Sequence, residues 1–264
     1  MKIFDGKKQA DKILSDLRKR VKKERIKLKL AVISAGKDAA SEVFIRNKKK
    51  AAERIGIKVL HYKFNSQVKE KRLLSKIENL NQDNGIAGII VQLPLPSKLN
   101  AKKITEKIDF RKDVDGFQKK TRFSPPLISA ILNVLKSLSG NLKSKKIIAL
   151  VNSDFFGNVL KSSLKKEKIK ISYLKNKKSS EIKSADIVIS VCGFPNYIKG
   201  DMIKKGAVLI DGGIVVLKNG KVVGDVDRKS VSGKAGFLTP VPGGLGPLTV
   251  ALLLKNVYYA AKHS

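Results

Sequence analysis

Leu28-Lys29-Leu30-Ala31-Val32-Ile33-Ser34 is a short apolar run that reads as a β-strand. A helix-period segment from Ala39 to Ile55 follows, stopped by Gly56, and then a second strand-like run from Ile57 to Tyr62. Strands that alternate with amphipathic helices predict parallel pairing through crossover helices. The same rhythm extends in both directions. Residues Gln9 to Arg25 read as an amphipathic helix, Glu70 to Leu80 as another, and Ile86 to Gln92 as a buried strand that ends in Leu93-Pro94-Leu95-Pro96. This βαβαβ order predicts a parallel sheet with helices on both faces.

A second α/β series begins after a helix at Ser129 to Leu138. Its strands are expected at Lys146–Val151, Ile169–Leu174, Ile187–Val191 and Val208–Ile210, with an edge hairpin at 222–226 that turns at Asn219-Gly220. A final helix is expected from Leu248 to Ala261, packing back on the first series. The fold class is therefore α/β, with two α/β domains. Residues 1–121 with 248–264 form the first domain and residues 122–247 the second.

With 264 residues, 42% of them hydrophobic, the chain can bury a core for each domain. No apolar run approaches the roughly 20 residues of a membrane helix, so no membrane partner is expected. The N-terminal residues lack the apolar core of a signal peptide. Cys192 is the single cysteine, which rules out an intrachain disulfide and points to a reducing cytoplasm. The net charge of +34 suggests nucleic acid first. Against it, nine of the 56 basic residues are arginine, the lysines are scattered along the whole chain, and no zinc-finger, homeodomain or RNA-recognition signature is present. A drift toward lysine, or an anionic small substrate, accounts for the charge as well.

The chemistry-bearing groups stand at strand ends and on helix faces. Phe44 and Lys48 are four apart on one helix and share a face, where a ring beside an ammonium could stack a flat heterocycle and move a proton. The competing reading is a core Phe beside a solvated Lys. Gln92 stands at the carboxyl end of its strand, where open α/β sheets bind ligands. Asp113 and Asp115 flank Val114, and strand-like alternation would put both carboxylates on one side, unless they serve as turn carboxylates. Residues 239–249, Thr-Pro-Val-Pro-Gly-Gly-Leu-Gly-Pro-Leu-Thr, form a stiff loop with few side chains. Such a loop suits a flat ligand pressed against the main chain, or a tight turn before the last helix. The stretch from Ile147 to Asn158 reads as a strand that leaves into a helix, the place for a dinucleotide pyrophosphate, although G-x-G-x-x-G is absent. The following strand ends at Leu174-Lys175-Asn176-Lys177-Lys178 with no acid to hold a ribose hydroxyl, which favours a 2′-phosphate and hence NADP, with NAD as the other candidate. No metal is expected, because His61 and His263 are the only histidines and Cys192 has no partner at ligand spacing.

Four motifs in order carry a resemblance: Ser41-x-x-Phe44-x-x-x-Lys48, Val91-Gln92-Leu93-Pro94-Leu95-Pro96, Lys112-Asp113-Val114-Asp115-Gly116-Phe117 and the Pro/Gly loop. Together they resemble the bifunctional methylenetetrahydrofolate dehydrogenase/methenyltetrahydrofolate cyclohydrolase family over nearly the whole chain. The resemblance implies two α/β domains flanking a cleft, the second of them a Rossmann-like dinucleotide-binding domain, with tetrahydrofolate derivatives as substrates, NADP as cofactor and a homodimer. It implies Lys48 as the catalytic lysine, Gln92 as the residue that orients it and Asp115 as the anchor of the pterin N–H groups. Phe44, Pro242, Gly243 and Gly244 would line the substrate, and Val151, Asn152, Ser153, Gly157, Lys175 and Ile214 the cofactor. The chain departs from the family pattern at Phe44, where a Tyr is usual, and at Val151-Asn152-Ser153, where Gly-Arg-Ser is usual. It departs again at Pro125-Pro126-Leu127-Ile128, for Pro-Cys-Thr-Pro, and at Lys175-Asn176, for His-Ser. The folate half is better preserved than the cofactor half, which leaves as an alternative a cyclohydrolase whose dehydrogenase step has weakened or changed cofactor.

Overall fold

The computed structural model describes residues 1–118, 120–175 and 180–262. Asn176, Lys177, Lys178 and His263 lie outside the described residues. In chain order the elements are β1 (Lys2–Ile3), α1 (Gly6–Glu24), β2 (Leu28–Ala35), α2 (Ala39–Arg54), β3 (Ile57–Phe64), α3 (Glu70–Gln82), β4 (Gly88–Val91), α4 (Ala101–Glu106) and α5 (Pro126–Ser137). There follow β5 (Ile147–Val151), α6 (Asp154–Lys166), β6 (Ser172–Leu174), β7 (Ile187–Val191), β8 (Val208–Asp211), β9 (Val215–Val216), β10 (Val222–Val223), α7 (Arg228–Val231), β11 (Phe237–Thr239) and α8 (Leu245–Lys262). None of the helices among the described residues is long and apolar enough to cross a membrane.

The chain divides into two compact units, one of residues 9–126 and 249–264 and one of residues 1–8 and 127–248. In the first unit, β3-β2-β4 form a parallel sheet, with Leu30 opposite both Val59 and Gly88. Side chains alternate across β2, so the sheet carries two separate cores. Leu28, Leu30 and Val32 pack with Leu14 and Leu17 of α1, Ile45 and Ala52 of α2, and Val250, Leu253, Leu254 and Val257 of α8. Ala31, Ile33 and Ala35 pack with Leu73, Ile77 and Leu80 of α3 and Ile104 of α4. Each of these large side chains contributes on the order of 1.5–3 kcal/mol by leaving water. The expected return of the last helix to the first series is seen in this core.

The second unit holds a six-stranded sheet in the order β1-β11-β8-β7-β5-β6, parallel throughout, and a separate β9–β10 hairpin. The chain leaves β5 toward β6 and then crosses back to β7 on the other side. The carboxyl ends of β5 and β7 therefore border a topological switch point, the place where doubly wound sheets bind nucleotides.

Several element edges differ from expectation. Residues 1–8, expected with the first domain, group with the second unit because β1 pairs in parallel with β11, Lys2 opposite Phe237 and Ile3 opposite Leu238. Residues 122–126 group with the first unit. Helix α5 starts three residues before Ser129, at Pro126, since proline tolerates the first helical position. Helix α8 likewise starts at Leu245 with Pro247 in its first turn. Strand β4 is trimmed to Gly88–Val91, and the Gln92 N–H still reaches the Ile33 carbonyl of β2 at 2.8 Å.

Candidate active site

In the first unit, the βαβ crossover brings Lys48 to Gln92, and the turn at residues 113–116 brings the Asp115 charge to bear on Lys48. Helix α2 follows β2 and is capped by Asp38, whose carboxylate accepts from the Ser41 N–H. That cap and the 3.6-residue repeat put Ser41, Ile45, Lys48 and Ala52 on the buried face. Strand β4 adds to the other edge of β2 and delivers Gln92 at its carboxyl end. The Lys48 Nζ donates to Gln92 Oε1 at 2.8 Å. The amide's orientation is fixed from its other end, where Nε2 donates to the Leu93 carbonyl at 2.9 Å. The Ser41 hydroxyl donates to that same carbonyl at 3.2 Å, which ties the Ser41-x-x-Phe44-x-x-x-Lys48 helix to the Gln92 segment.

Lys48 is only 8% exposed, so it is not the solvated Lys of the competing reading. Burial pushes its pKa down, and the charge of Asp115 pulls it partly back up. Asp115 is the mirror case: burial pushes its carboxyl up, and Lys48 draws it back toward ionisation. An amine whose burial holds its pKa below the ordinary range, beside a carboxyl shifted up by the same surroundings, gives up its proton more readily than an exposed lysine. Phe44 lies one turn before Lys48 and is half-buried.

Of the two readings offered for Asp113 and Asp115, the turn carboxylate holds for Asp113. Asp113 is 1% exposed and accepts from the Gly116 N–H at 3.1 Å and the Gln118 N–H at 2.9 Å. It is the turn carboxylate, pushed up to about 6 by burial, against the pull of those N–H groups. Gly116 makes the turn possible. Its φ is 71°, and a Cβ there would stand 2.6 Å from the Phe123 carbonyl oxygen. The chain therefore bends between the two acids and does not run as an extended strand.

A small cavity of about 20 Å³ adjoins this site, lined by Ser34, Asp38, Ser41, Glu42, His61 and Gln92 among others. Ser34 Oγ and His61 Nε2 meet there at 2.8 Å, and burial holds the imidazole below its usual pKa. This pair had no sequence signal, because its members are 27 residues apart on β2 and β3 and meet only through the parallel register.

In the second unit, Val151 ends β5 and is buried, Asn152 is exposed, and Ser153 caps α6 by accepting from the Phe156 N–H at 3.3 Å. Gly157 lies in the first turns of α6 against the Tyr173 ring of β6, where a Cβ would come within 2.6 Å of the ring. The glycine thus lets the helix approach the sheet beside the switch point. Lys175 follows β6 and is not a free cation: its Nζ pairs with Asp154 of α6 at 2.6 Å, with both side chains more than half exposed. That pairing raises the lysine's pKa. Ile214 is half-buried beyond β8, and Gly246 of α8 packs next to it, where a Cβ would be 3.8 Å from Ile214 Cδ1. Pro242, Gly243 and Gly244 form the turn before α8. Gly243 has a φ of 105°, and the Gly244 N–H donates to the Pro240 carbonyl at 2.7 Å. The Gly6 N–H donates to the Gly243 carbonyl at 3.0 Å, so the N-terminal segment braces the loop.

Two buried acids to which sequence reasoning gave no role organise the carboxyl ends of β7 and β8. Asp225 is fully buried and accepts from the Ser190 hydroxyl at 2.7 Å and from the N–H groups of Cys192 and Phe194, each at 2.8 Å. Asp211 accepts from the N–H groups of Gly213, Asp225 and Val226 at 3.0, 3.1 and 2.9 Å. A parallel sheet with a switch point, a capped helix N-terminus and a close-packed glycine fits a dinucleotide. What this unit lacks is an arginine at the turn after β5.

The family model for the catalytic domain of tetrahydrofolate dehydrogenase/cyclohydrolase matches residues 4–115, and the model for its NAD(P)-binding domain matches residues 125–264. The chain is 38% identical over 278 residues to the bifunctional protein FolD of Nautilia profundicola, covering 100% of this chain and 98% of that protein. Among solved structures, it is similar to the bifunctional FolD methylenetetrahydrofolate dehydrogenase/cyclohydrolase of Campylobacter jejuni, with a TM-score of 0.89 and 35% identity over 100% of this chain and 99% of that one. It is similar also to the Trypanosoma brucei methylenetetrahydrofolate dehydrogenase-cyclohydrolase solved with NADP and an inhibitor, with a TM-score of 0.89 and 27% identity over 99% and 97% of the two chains. With both of its halves matched, this chain belongs to the tetrahydrofolate dehydrogenase/cyclohydrolase family.

Proposed function

We propose that this protein oxidises 5,10-methylenetetrahydrofolate to the methenyl form with NADP and hydrolyses that product to 10-formyltetrahydrofolate. The observation that carries the reading is the buried Lys48, hydrogen-bonded to Gln92 and acted on by the charge of Asp115. NADP, when bound, supplies the hydride acceptor for the first step. Val151, Asn152, Ser153, Gly157, Lys175 and Ile214 are the residues that would hold it.

Asp115 anchors the pterin through its N–H donors, and the charge of Lys48 draws that carboxyl back toward ionisation against its burial. Phe44 offers a ring for stacking, and Pro242, Gly243 and Gly244 offer main chain with little side-chain bulk. In the hydrolytic step water adds to the methenyl carbon. Lys48 takes the proton from the attacking water, then returns one to the nitrogen that leaves as the ring opens. Gln92 holds the amine through its carbonyl oxygen, so the Nζ lone pair has a defined direction. A lysine with an ordinary pKa would be protonated at neutral pH and could not act as a base, which is why its burial matters.

The test is purified protein with methylenetetrahydrofolate and either NADP or NAD, followed at the methenyl absorbance. Formation of the methenyl species with NADP, followed by its hydrolysis, is expected. No methenyl signal with either cofactor, together with rapid hydrolysis of added methenyltetrahydrofolate, would instead leave a cyclohydrolase alone. The reading also makes the working unit a cytoplasmic homodimer. Sedimentation of the purified chain at twice its 29.0 kDa mass would support that unit.

A further inference from the structure

We propose that Lys112 is a positioning residue for Asp115, holding the turn that carries this carboxylate against the end of α3. The inference rests on the catalytic reading of Lys48 and Asp115 above.

Lys112 is one of few buried lysines in a chain whose lysines mostly face water, and it is 7% exposed. Its Nζ donates to the carbonyls of Leu80 at 3.0 Å, Asn81 at 2.7 Å and Asp83 at 2.8 Å, which uses all three ammonium protons. These carbonyls stand at the C-terminal end of α3, where no further turn of helix supplies N–H donors and where a cation is favoured. The main chain of the same residue is held independently. Its carbonyl accepts from the Ile89 N–H of β4 at 2.9 Å, and its N–H donates to the Asp109 carbonyl at 2.8 Å. One residue therefore joins α3, β4 and the turn.

Asp115 lies three residues further on, and the intervening chain transmits the position. Asp113 closes the turn onto Gly116 and Gln118. Val114 is fully buried against Gly88, where a Cβ would come within 2.7 Å of Val114 Cγ1. The Asn256 amide of α8 donates to the Val114 carbonyl at 2.9 Å. A packed apolar side chain could fill the space under the turn without the cost of burying an ammonium. What it could not do is fix the turn to three specific carbonyls.

The consequence falls on Lys48. Asp115 is the charge that acts on Lys48, and Lys48 the one that acts on Asp115, while Asp113 is the neighbouring acid on the same turn. The charged groups around Lys112 are Asp83, Asp109 and Arg111. If the turn loosens, Asp115 draws away and loses its upward pull on the Lys48 amine. The acidic limb of the hydrolysis profile then moves to lower pH.

The experiment is a double-mutant cycle on methenyltetrahydrofolate hydrolysis with wild type, Lys112→Met, Asp115→Asn and the double variant, read as kcat and KM from about pH 5.5 to 9.5. Lys112→Met should lower kcat/KM roughly tenfold and move the acidic limb down, as Asp115→Asn does, and should cost less than about twofold more when Asp115 is already replaced. Losses that multiply, with the limb unmoved in Lys112→Met, would assign Lys112 to the fold alone and overturn the proposal. Lys112→Arg keeps the cation and its donors and should recover to within about threefold of wild type. If circular dichroism shows Lys112→Met unfolded, Lys112→Gln, which keeps two donors but removes the charge, goes through the same cycle under the same two criteria. Wild-type protein that does not hydrolyse the substrate would overturn the catalytic reading itself, a different result from active wild type with multiplying losses.

Discussion

The Lys48 site and the turn after β5 occupy equivalent places, each beyond the carboxyl end of a parallel strand, yet they are built from different materials. Lys48 is buried, bonded to an amide of fixed orientation and balanced by a carboxyl whose pKa is shifted the opposite way. At the second place, Lys175 and Asp154 form an ion pair with more than half of each side chain in water, and Asn152 is exposed. A group that must change protonation during a reaction needs a low-dielectric setting and partners that cannot drift. A group that only holds an anion works from the surface, where many side chains and many backbone N–H groups serve. The chain carries Lys48, Gln92 and Asp115 where the first requirement applies, and an exposed Asn152 and Lys175 where the second does.

That contrast predicts unequal responses to substitution. Asp115→Ala, at the buried site, should lower kcat/KM for hydrolysis by about 10²- to 10³-fold, since it removes both the pterin anchor and the charge beside the base. A loss under about fivefold would mean that the two sites tolerate change alike.

Gly213→Ala comes next. A Cβ at Gly213 would stand 2.2 Å from the Asp225 carboxylate, which is locked by three donors. Overpacking of this kind should cost about 1–3 kcal/mol, measured by urea denaturation. An unchanged midpoint would show that the carboxyl ends of β7 and β8 are as yielding as the turn after β5.

The smallest effect is expected at the exposed pair. Asp154→Asn frees the Lys175 ammonium, so binding of 2′,5′-ADP by calorimetry should tighten about two- to fivefold while binding of 5′-AMP stays unchanged. Equal changes for both ligands would remove Lys175 from 2′-phosphate recognition. The melting temperature should hardly move, because exposed ion pairs contribute little to stability.

How much of this was legible depended on whether a residue's neighbours are set by local periodicity. Lys48 could be placed because α2 repeats every 3.6 residues, and Gln92 because it follows a continuous apolar strand. Strands β1 and β11, of two and three residues, are too short to show any period, and their pairing joins the two ends of the sequence. For the two acids of Lys112-Asp113-Val114-Asp115, alternation and a turn were both open, and the turn holds for Asp113, next to Gly116 at positive φ. Lys112 itself was hidden by the abundance of lysine: nothing local marks the one whose ammonium meets three carbonyls 29 to 32 residues away. Asp211 and Asp225 were hidden for a related reason, since their partners come from the ends of different strands.

The central claim is that Lys48 is the base in a folate hydrolysis reaction. It is tested most directly by the rate of methenyltetrahydrofolate loss with wild type and Lys48→Ala at neutral pH, each confirmed folded by circular dichroism. Wild type should hydrolyse the substrate well above the buffer rate, and the variant should lose about 10²- to 10⁴-fold of that enhancement. A folded Lys48→Ala protein that hydrolyses as fast as wild type would contradict the account.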